Sequence, residues 1–188
     1  MTSERPAEQP LWFFGYGSLI WRPDFPFLEQ QPARLSGFIR RFWQGSPDHR
    51  GTPSEPGRVV TLVPDPTGHC DGVAFRVLPD HLQSILEYLD ERESGGYTRI
   101  ISPIDMGHIV HATVYVANQN NPHYLGPADL DQMAQHIVRS QGPSGTNLQY
   151  LTELARSLDN WRIKDKHVLD LHAQCLRIQH CEGVSDER

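Results

Sequence analysis

At 188 residues, with a formal net charge of −6, 38% hydrophobic and 21% charged residues, the chain has the size and composition of one ordinary globular domain. Its acidic balance and lack of a long basic run exclude a nucleic-acid footprint at the whole-chain level, and no stretch approaches the ~20 apolar residues of a membrane span. Cys70, Cys175 and Cys181 are odd in number and lack Cys-x-x-Cys spacing, and the polar start Met1–Gln9 lacks an apolar signal core, so a cytoplasmic setting is expected.

The first element, Leu11 to Tyr16, reads as a short buried strand, aromatic-rich and bounded by Pro10 and Gly17. It breaks into Gly15-Tyr16-Gly17-Ser18-Leu19, where two glycines let the main chain bend and leave amides uncovered. Such amides can form a concave nest for an anion or a polarised carbonyl, although an ordinary turn would read the same way. A dinucleotide fingerprint does not fit: position 20 is Ile rather than the third glycine, and Pro23 and Pro26 cannot open the required helix. The absence of Gly-Lys-Ser/Thr excludes a P-loop.

A Pro-rich loop follows, then β-like character from Ala33 to Gln44 and a loop from Ser46 to Gly57 that carries Asp48-His49-Arg50. Arg58 to Val63 and Asp71 to Val77 read as two strands separated by a turn at Pro64-Asp65-Pro66-Thr67-Gly68. Pro79 to Glu93 is a clear helix, with Leu82, Ile85, Leu86 and Leu89 on one face and Gly95-Gly96 as terminators. Arg99 to Ile104 and Ile109 to Ala117 follow as strands. Three helices close the chain: Ala128 to Ser140, Asn147 to Leu158, and about Asp165 to Gln179. This order predicts an α+β fold around one mixed or antiparallel sheet able to curl into a barrel, with a helical C-terminal third. The domain is expected to span residues 11–181, between a flexible segment 1–10 and a frayed tail 182–188. The ten histidines are scattered and supply no set of three or four ligands, so neither a metal nor a cofactor is expected.

One residue does not fit its position. On a wheel of 100° per residue with Leu82 at zero, Leu86 falls at about 40°, Leu89 at about 340° and Ile85 at about 300°. Glu93 falls at about 20°, inside the apolar stripe, whereas Glu87 and Glu91 fall at about 140° and about 180°. Burial and the negative end of the helix dipole both disfavour its ionised form, raising its pKa toward the range of a general acid and base. The competing reading is a frayed last turn, with Glu93 in water or paired with Arg92 or Arg99.

These residues carry a resemblance. Phe14-Gly15-Tyr16-Gly17-Ser18-Leu19-Ile20-Trp21 resembles the N-terminal motif of the ChaC family, the glutathione-specific γ-glutamylcyclotransferases. In the same order follow Arg41-Phe42-Trp43-Gln44-Gly45-Ser46, Asp48-His49-Arg50-Gly51, Pro56-Gly57-Arg58-Val59-Val60-Thr61-Leu62, and Tyr88-Leu89-Asp90 with Arg92-Glu93. Gly95-Gly96-Tyr97, Asn121-Pro122 with Tyr124-Leu125-Gly126-Pro127, and Gly142-Pro143-Ser144-Gly145 with Asn147 complete the match over residues 11 to 158. Phe38-Ile39 and Ile101-Ser102-Pro103 depart from the family pattern, and the last helix matches least.

The resemblance implies a small mixed β-barrel flanked by helices and a cofactor-independent cleavage of glutathione to 5-oxoproline and Cys-Gly. It implies Glu93 as the acid and base, and a substrate site from Phe13, Phe14, Gly15, Tyr16, Gly17, Ser18 and Leu19, with Tyr124 near the same pocket. Asp48-His49-Arg50 and Arg58 are candidates either for binding the glutathione carboxylates or for ordering loops; Arg50 is taken as a binding residue. Trp43 and Tyr97 are read as core or pocket wall. Ser18 is not a nucleophile, since the reaction needs none and no Gly-x-Ser-x-Gly elbow surrounds it. The expected partner is a small molecule, with no nucleic acid or membrane, and the protein is expected as a monomer or weak homodimer. Rival readings are a cyclotransferase for other γ-glutamyl amino acids or amines, and a non-catalytic module that binds a γ-glutamyl metabolite.

Overall fold

The aromatic run near the N-terminus forms β1 (Trp12–Gly15), followed by a short 3-10 turn at Ser18–Ile20. Two long strands, β2 (Glu29–Ser46) and β3 (Gly57–Arg76), make an antiparallel pair. Helix α1 (Pro79–Arg92) leads to β4 (Thr98–Asp105) and β5 (Ile109–Val116). The remainder is α2 (Leu130–Arg139), the two-residue strands β6 (Gln141–Gly142) and β7 (Gly145–Thr146), α3 (Asn147–Asn160) and α4 (Lys166–Ser185). The computed structural model describes the backbone of residues 10–185 and the side chains of residues 10–181. The segment expected to be flexible before residue 10 and the last three residues of the expected tail fall outside them.

The strands close into a barrel in the order β1-β3-β2-β4-β5, and β5 returns to β1 through a parallel pairing of Trp12 with Ala112 and Phe13 with Thr113. All other ladders are antiparallel. The sheet is therefore mixed and curled, as the order of elements predicts. Closure explains why β1 reads as an unbroken apolar run rather than an alternating one: Phe13 and Phe14 are both buried, on opposite faces of the strand. Phe13 packs on Phe25, and Phe25 on Phe75. Each such ring, removed from water, contributes on the order of 1.5–3 kcal/mol.

The turn expected to separate two strands at Pro64–Gly68 does not reverse the chain. β3 runs through it without a break, and β2 pairs with β3 on both sides, Phe38 with Pro64 and Ser36 with His69. One residue of β2 thus faces four of β3. The surplus is taken up by a local excursion in which Asp65 Oδ1 accepts hydrogen bonds from the Thr67 amide and hydroxyl at 3.0 Å. The turn chemistry is real, but it makes a bulge.

Helix α1 buries Ile85, Leu86 and Leu89 against the barrel and begins with Pro79 in its first turn. It stops one residue earlier than the sequence suggests, with Glu93 as its C-cap. Gly96 then adopts φ +111°, and a Cβ there would sit 2.6 Å from Asn121 Oδ1, so only glycine fits. The three C-terminal helices pack through Met133, Ala134, Ile137, Leu151, Leu154, Val168, Leu171 and Cys175, with α4 extending past the expected Gln179. α2 is capped by Asp129, and α3 by a capping box of Thr146 and Gln149. Asn147, fully buried, fixes α3 to the barrel: its Oδ1 accepts from the Arg58 amide at 2.6 Å and its Nδ2 donates to the Arg58 carbonyl at 2.7 Å. Among the described residues no helix is long and apolar enough to cross a membrane.

Candidate active site

The turn after β1 is held from three sides. The Tyr16 hydroxyl donates to the Tyr115 carbonyl at 2.6 Å, and the Tyr16 carbonyl accepts from Arg40 Nε at 2.7 Å. Arg40 is buried yet charged, and its guanidinium also reaches the Asp71 carbonyl at 2.6 Å and Asp165 Oδ2 at 2.5 Å. A buried charge survives only with such partners, so the turn is tied to β3 and to the start of α4. Gly17 allows a close approach: a Cβ there would lie 2.8 Å from Val60 Cγ2 and 3.1 Å from the Tyr150 hydroxyl. The 3-10 turn begins with the Ile20 amide donating to the Gly17 carbonyl at 3.0 Å. The amides of Gly17, Ser18 and Leu19 precede that first bond and have no partner among the described residues.

Glu93 comes to this turn from the end of α1. Its carboxyl is 16% exposed and lies 3.5 Å from Arg92 Nε. Burial raises its pKa above the ordinary carboxylate range; the Arg92 charge opposes the shift and the Asp48 charge adds to it. Both sequence readings of Glu93 hold in part: it pairs with Arg92, yet it stays in the interior. Arg99 pairs with Asp90 instead, at 3.2 Å. Arg92 in turn secures the loop that follows the turn, donating to Ser18 Oγ at 2.9 Å and to the Arg22 carbonyl at 2.7 Å.

These groups surround two adjoining spaces, a cavity of about 280 Å³ and a recess of about 40 Å³. Ser18, Glu93, Tyr97 and Tyr150 line both, so the carboxylate stands at their common wall. The Tyr97 hydroxyl donates to the Val60 carbonyl at 2.6 Å. Burial raises the pKa values of Tyr97 and Tyr150 well above normal, which keeps both phenols protonated. The larger cavity is closed on its far side by the loop between β2 and β3. There Ser46 Oγ accepts from the Arg50 amide at 3.1 Å, and the Ser144 amide donates to the His49 carbonyl at 2.9 Å. His49 Nδ1 also meets Ser144 Oγ at 3.1 Å, joining this loop to the β6–β7 hairpin.

The structure brings together most of the residues read from the sequence. Phe14, Tyr16, Gly17, Ser18 and Leu19 line the recess with Glu93, and Asp48, His49 and Arg50 line the larger cavity. Phe13 and Gly15 lie buried behind the turn and line neither space. Tyr124 lines neither space and forms an isolated bridge with Gln44. Arg58 turns away from the cavity, donating to the Phe42 and Gly126 carbonyls at 3.0 Å. Of its two proposed roles, the structural one is observed. Trp43 is also structural, its carbonyl receiving the Leu125 and Gly126 amides. Tyr97 is pocket wall, as read.

Sequence reasoning missed Tyr150 and the bond from Arg92 to Ser18. The first left a signal. Tyr150 precedes Leu154 by four residues and shares its stripe on α3, so it is a polar group on an apolar face, the same kind of misfit as Glu93. The second depends on the path of the loop and leaves none. Among the described residues no group of three or more His, Cys, Asp or Glu side chains converges as metal ligands would.

The family model described as ChaC-like protein matches residues 11–178. Human glutathione-specific γ-glutamylcyclotransferase 1 is 46% identical over 153 residues, covering 78% of this chain and 69% of that protein. The glutathione-specific γ-glutamylcyclotransferase of Schizosaccharomyces pombe is 38% identical over 188 residues, covering 89% and 93%. Among solved structures, a γ-glutamylcyclotransferase specific to glutathione from yeast superposes with a TM-score of 0.84 at 31% identity, covering 90% of this chain and 97% of that one.

Proposed function

This chain belongs to the ChaC-like family, and from that premise we propose that it is a glutathione-specific γ-glutamylcyclotransferase, releasing 5-oxoproline and Cys-Gly without a cofactor. The reaction is an intramolecular aminolysis. The α-amine of the γ-glutamyl group attacks its own γ-carbonyl carbon, a new C–N bond closes the lactam, and the γ-amide C–N bond breaks. One proton leaves the attacking nitrogen and one reaches the departing amine, so no water is consumed.

Three tasks fall to the protein. It folds the glutamyl chain so that amine and carbonyl meet, a positioning effect able to supply several kcal/mol of barrier lowering. It stabilises the oxyanion, a task for which the open amides of Gly17, Ser18 and Leu19 are suited, at roughly 3 kcal/mol per well-placed donor. It moves the proton, and Glu93 is the group for that work. The observation that carries this reading is the place of Glu93: a largely enclosed carboxylate with a raised pKa on the wall shared by the recess and the open cavity. Ser18 Oγ accepts from Arg92 and has no histidine partner among the described residues, which supports a binding role and no covalent one. Turnover in the cytoplasm by a monomer or weak homodimer is part of this reading, and the buried Cys70 and Cys175 thiols fit a reducing setting.

The test is release of 5-oxoproline from glutathione, glutathione disulfide and γ-glutamyl-alanine. Glutathione is expected to be turned over, and turnover to vanish in Glu93→Gln while the fold is kept. Activity on γ-glutamyl-alanine alone would overturn the substrate assignment, and full activity in Glu93→Gln would overturn the mechanism.

A further inference from the structure

Glu93 and Arg50 line the same cavity but sit in different electrostatic surroundings. Glu93 lies 3.5 Å from Arg92, Arg92 lies 3.6 Å from Asp24 and Asp24 lies 3.3 Å from Arg22, so Arg92 and Asp24 stand between Glu93 and Arg22, while Arg50 sits over the Tyr150 ring. The cavity therefore has an acid–base end and a cationic end. At the cationic end Arg50 is half-buried, and burial, followed by repulsion from Arg22, holds its pKa below the usual guanidinium value even against the Tyr150 and Glu153 contributions.

The hydrogen bonding of this pair is incomplete. Of the five N–H donors of a guanidinium, Arg50 uses Nη1 toward the Thr146 carbonyl at 3.2 Å, and its Cζ lies over the Tyr150 ring, 5.8 Å from the centroid. The others meet no acceptor among the described residues. Arg22 has a fixed backbone, its amide bonded to the Ser18 carbonyl at 2.8 Å and its carbonyl to Arg92. Its guanidinium is exposed and, among the described residues, pairs only with Asp24, at 3.3 Å, a pairing worth little at such exposure. Two guanidiniums facing one space, with donors to spare, are suited to a carboxylate: the planar fork matches it bidentately and its charge cancels their repulsion.

Resting on the cyclotransferase reading, we propose that Arg22 and Arg50 anchor the C-terminal carboxylate of the departing peptide, making the enzyme selective for γ-glutamyl peptides over γ-glutamyl amines. The α-carboxylate of the glutamyl group is excluded from this role. It shares a carbon with the attacking amine, which must reach Glu93. The carboxylate of Cys-Gly lies two residues beyond the scissile amide, about 7 Å along an extended chain, which carries it away from Glu93. Tyr150 lines both spaces and carries Arg50 over its ring.

The experiment compares glutathione with its C-terminal amide, γ-glutamyl-cysteinyl-glycinamide, in the wild type, Arg22→Gln, Arg50→Gln and Arg50→Lys. In the wild type the amide is expected to lose roughly tenfold to a hundredfold in kcat/KM, mostly through KM, because charge-assisted contacts are lost. Each Gln variant is expected to lose a similar factor on glutathione and little more on the amide, the non-additivity that marks a direct contact. Arg50→Lys, a point charge in place of a fork, is expected to fall between. Wild-type enzyme cleaving both substrates equally, or Gln variants losing the same factor on both, would overturn the anchor. No 5-oxoproline from either substrate would overturn the cyclotransferase reading itself, and the anchor with it. Arg22 is exposed, so its Gln variant decides the matter even if Arg50→Gln does not fold.

Discussion

Glu93 and the amides of Gly17–Leu19 sit on a wall made by barrel strands and a capped helix, whereas Asp48, His49 and Arg22 project from loops and have side chains 52%, 57% and 60% exposed. On the first wall, Tyr16 is bonded through both its hydroxyl and its carbonyl, and Gly17 has no room for even a methyl group. On the second, the loop between β2 and β3 is fastened by a few hydroxyl and amide contacts to the β6–β7 hairpin. Proton transfer and oxyanion binding need atoms held to within a fraction of an ångström, while peptide recognition tolerates side chains that adjust. On the proposed reading, the molecule divides its labour along that line.

Substitutions should separate the walls. Glu93→Gln is expected to lower turnover by about 10²–10⁴-fold with substrate binding retained, measured by 5-oxoproline release and ligand titration. Gly17→Ala should force the turn away from Val60 and lower turnover by about 10²-fold, with KM less affected. An equal loss in His49→Ala would break the comparison. Arg40→Met strips a buried cation from three acceptors and should cost about 3–5 kcal/mol in urea unfolding, even though Arg40 lines neither space. Ser144→Ala removes one exposed hydroxyl contact on the adaptable wall and should stay within about 0.5 kcal/mol of wild type.

The pH dependence sharpens the same contrast. As the proposed base, Glu93 works ionised, so the acid limb of kcat/KM should fall above the ordinary carboxylate range, in the direction of its raised pKa. Its stability effect has the opposite sign from that of a salt-bridged acid. The folded chain holds the Glu93 proton more tightly than the unfolded chain, so ionisation costs stability as pH rises from the unfolded pKa through the folded one. Glu93→Gln is therefore expected to melt slightly higher than wild type at neutral pH, an advantage that vanishes once both states are protonated. An acid limb in the ordinary carboxylate range would assign the proton work elsewhere.

Much of the rigid wall was legible because its signals are local. A glycine pair after an apolar run marks the turn, and one carboxylate on a leucine stripe marks Glu93. Tyr150 carried a signal of the same kind on α3. What could not be read depends on closure of the barrel. Arg40 lies 24 residues from Tyr16 and 125 from Asp165 in sequence, and nothing near it announces either partner. Arg50 and Arg58 looked alike in a loop and the strand after it, yet one faces the cavity and the other satisfies main-chain carbonyls. The turn at Pro64–Gly68 was misread because turn residues report local bending and say nothing about which strand the chain rejoins.

The bonds of Arg40 also set an order of assembly. A growing chain can lay down β1 to β5 before residue 165 exists, and up to then the guanidinium inside that barrel lacks the carboxylate that neutralises it. The anchor behind the turn is thus completed only once the start of α4 is made, and a chain released before it would carry every residue of the recess beside an unneutralised charge.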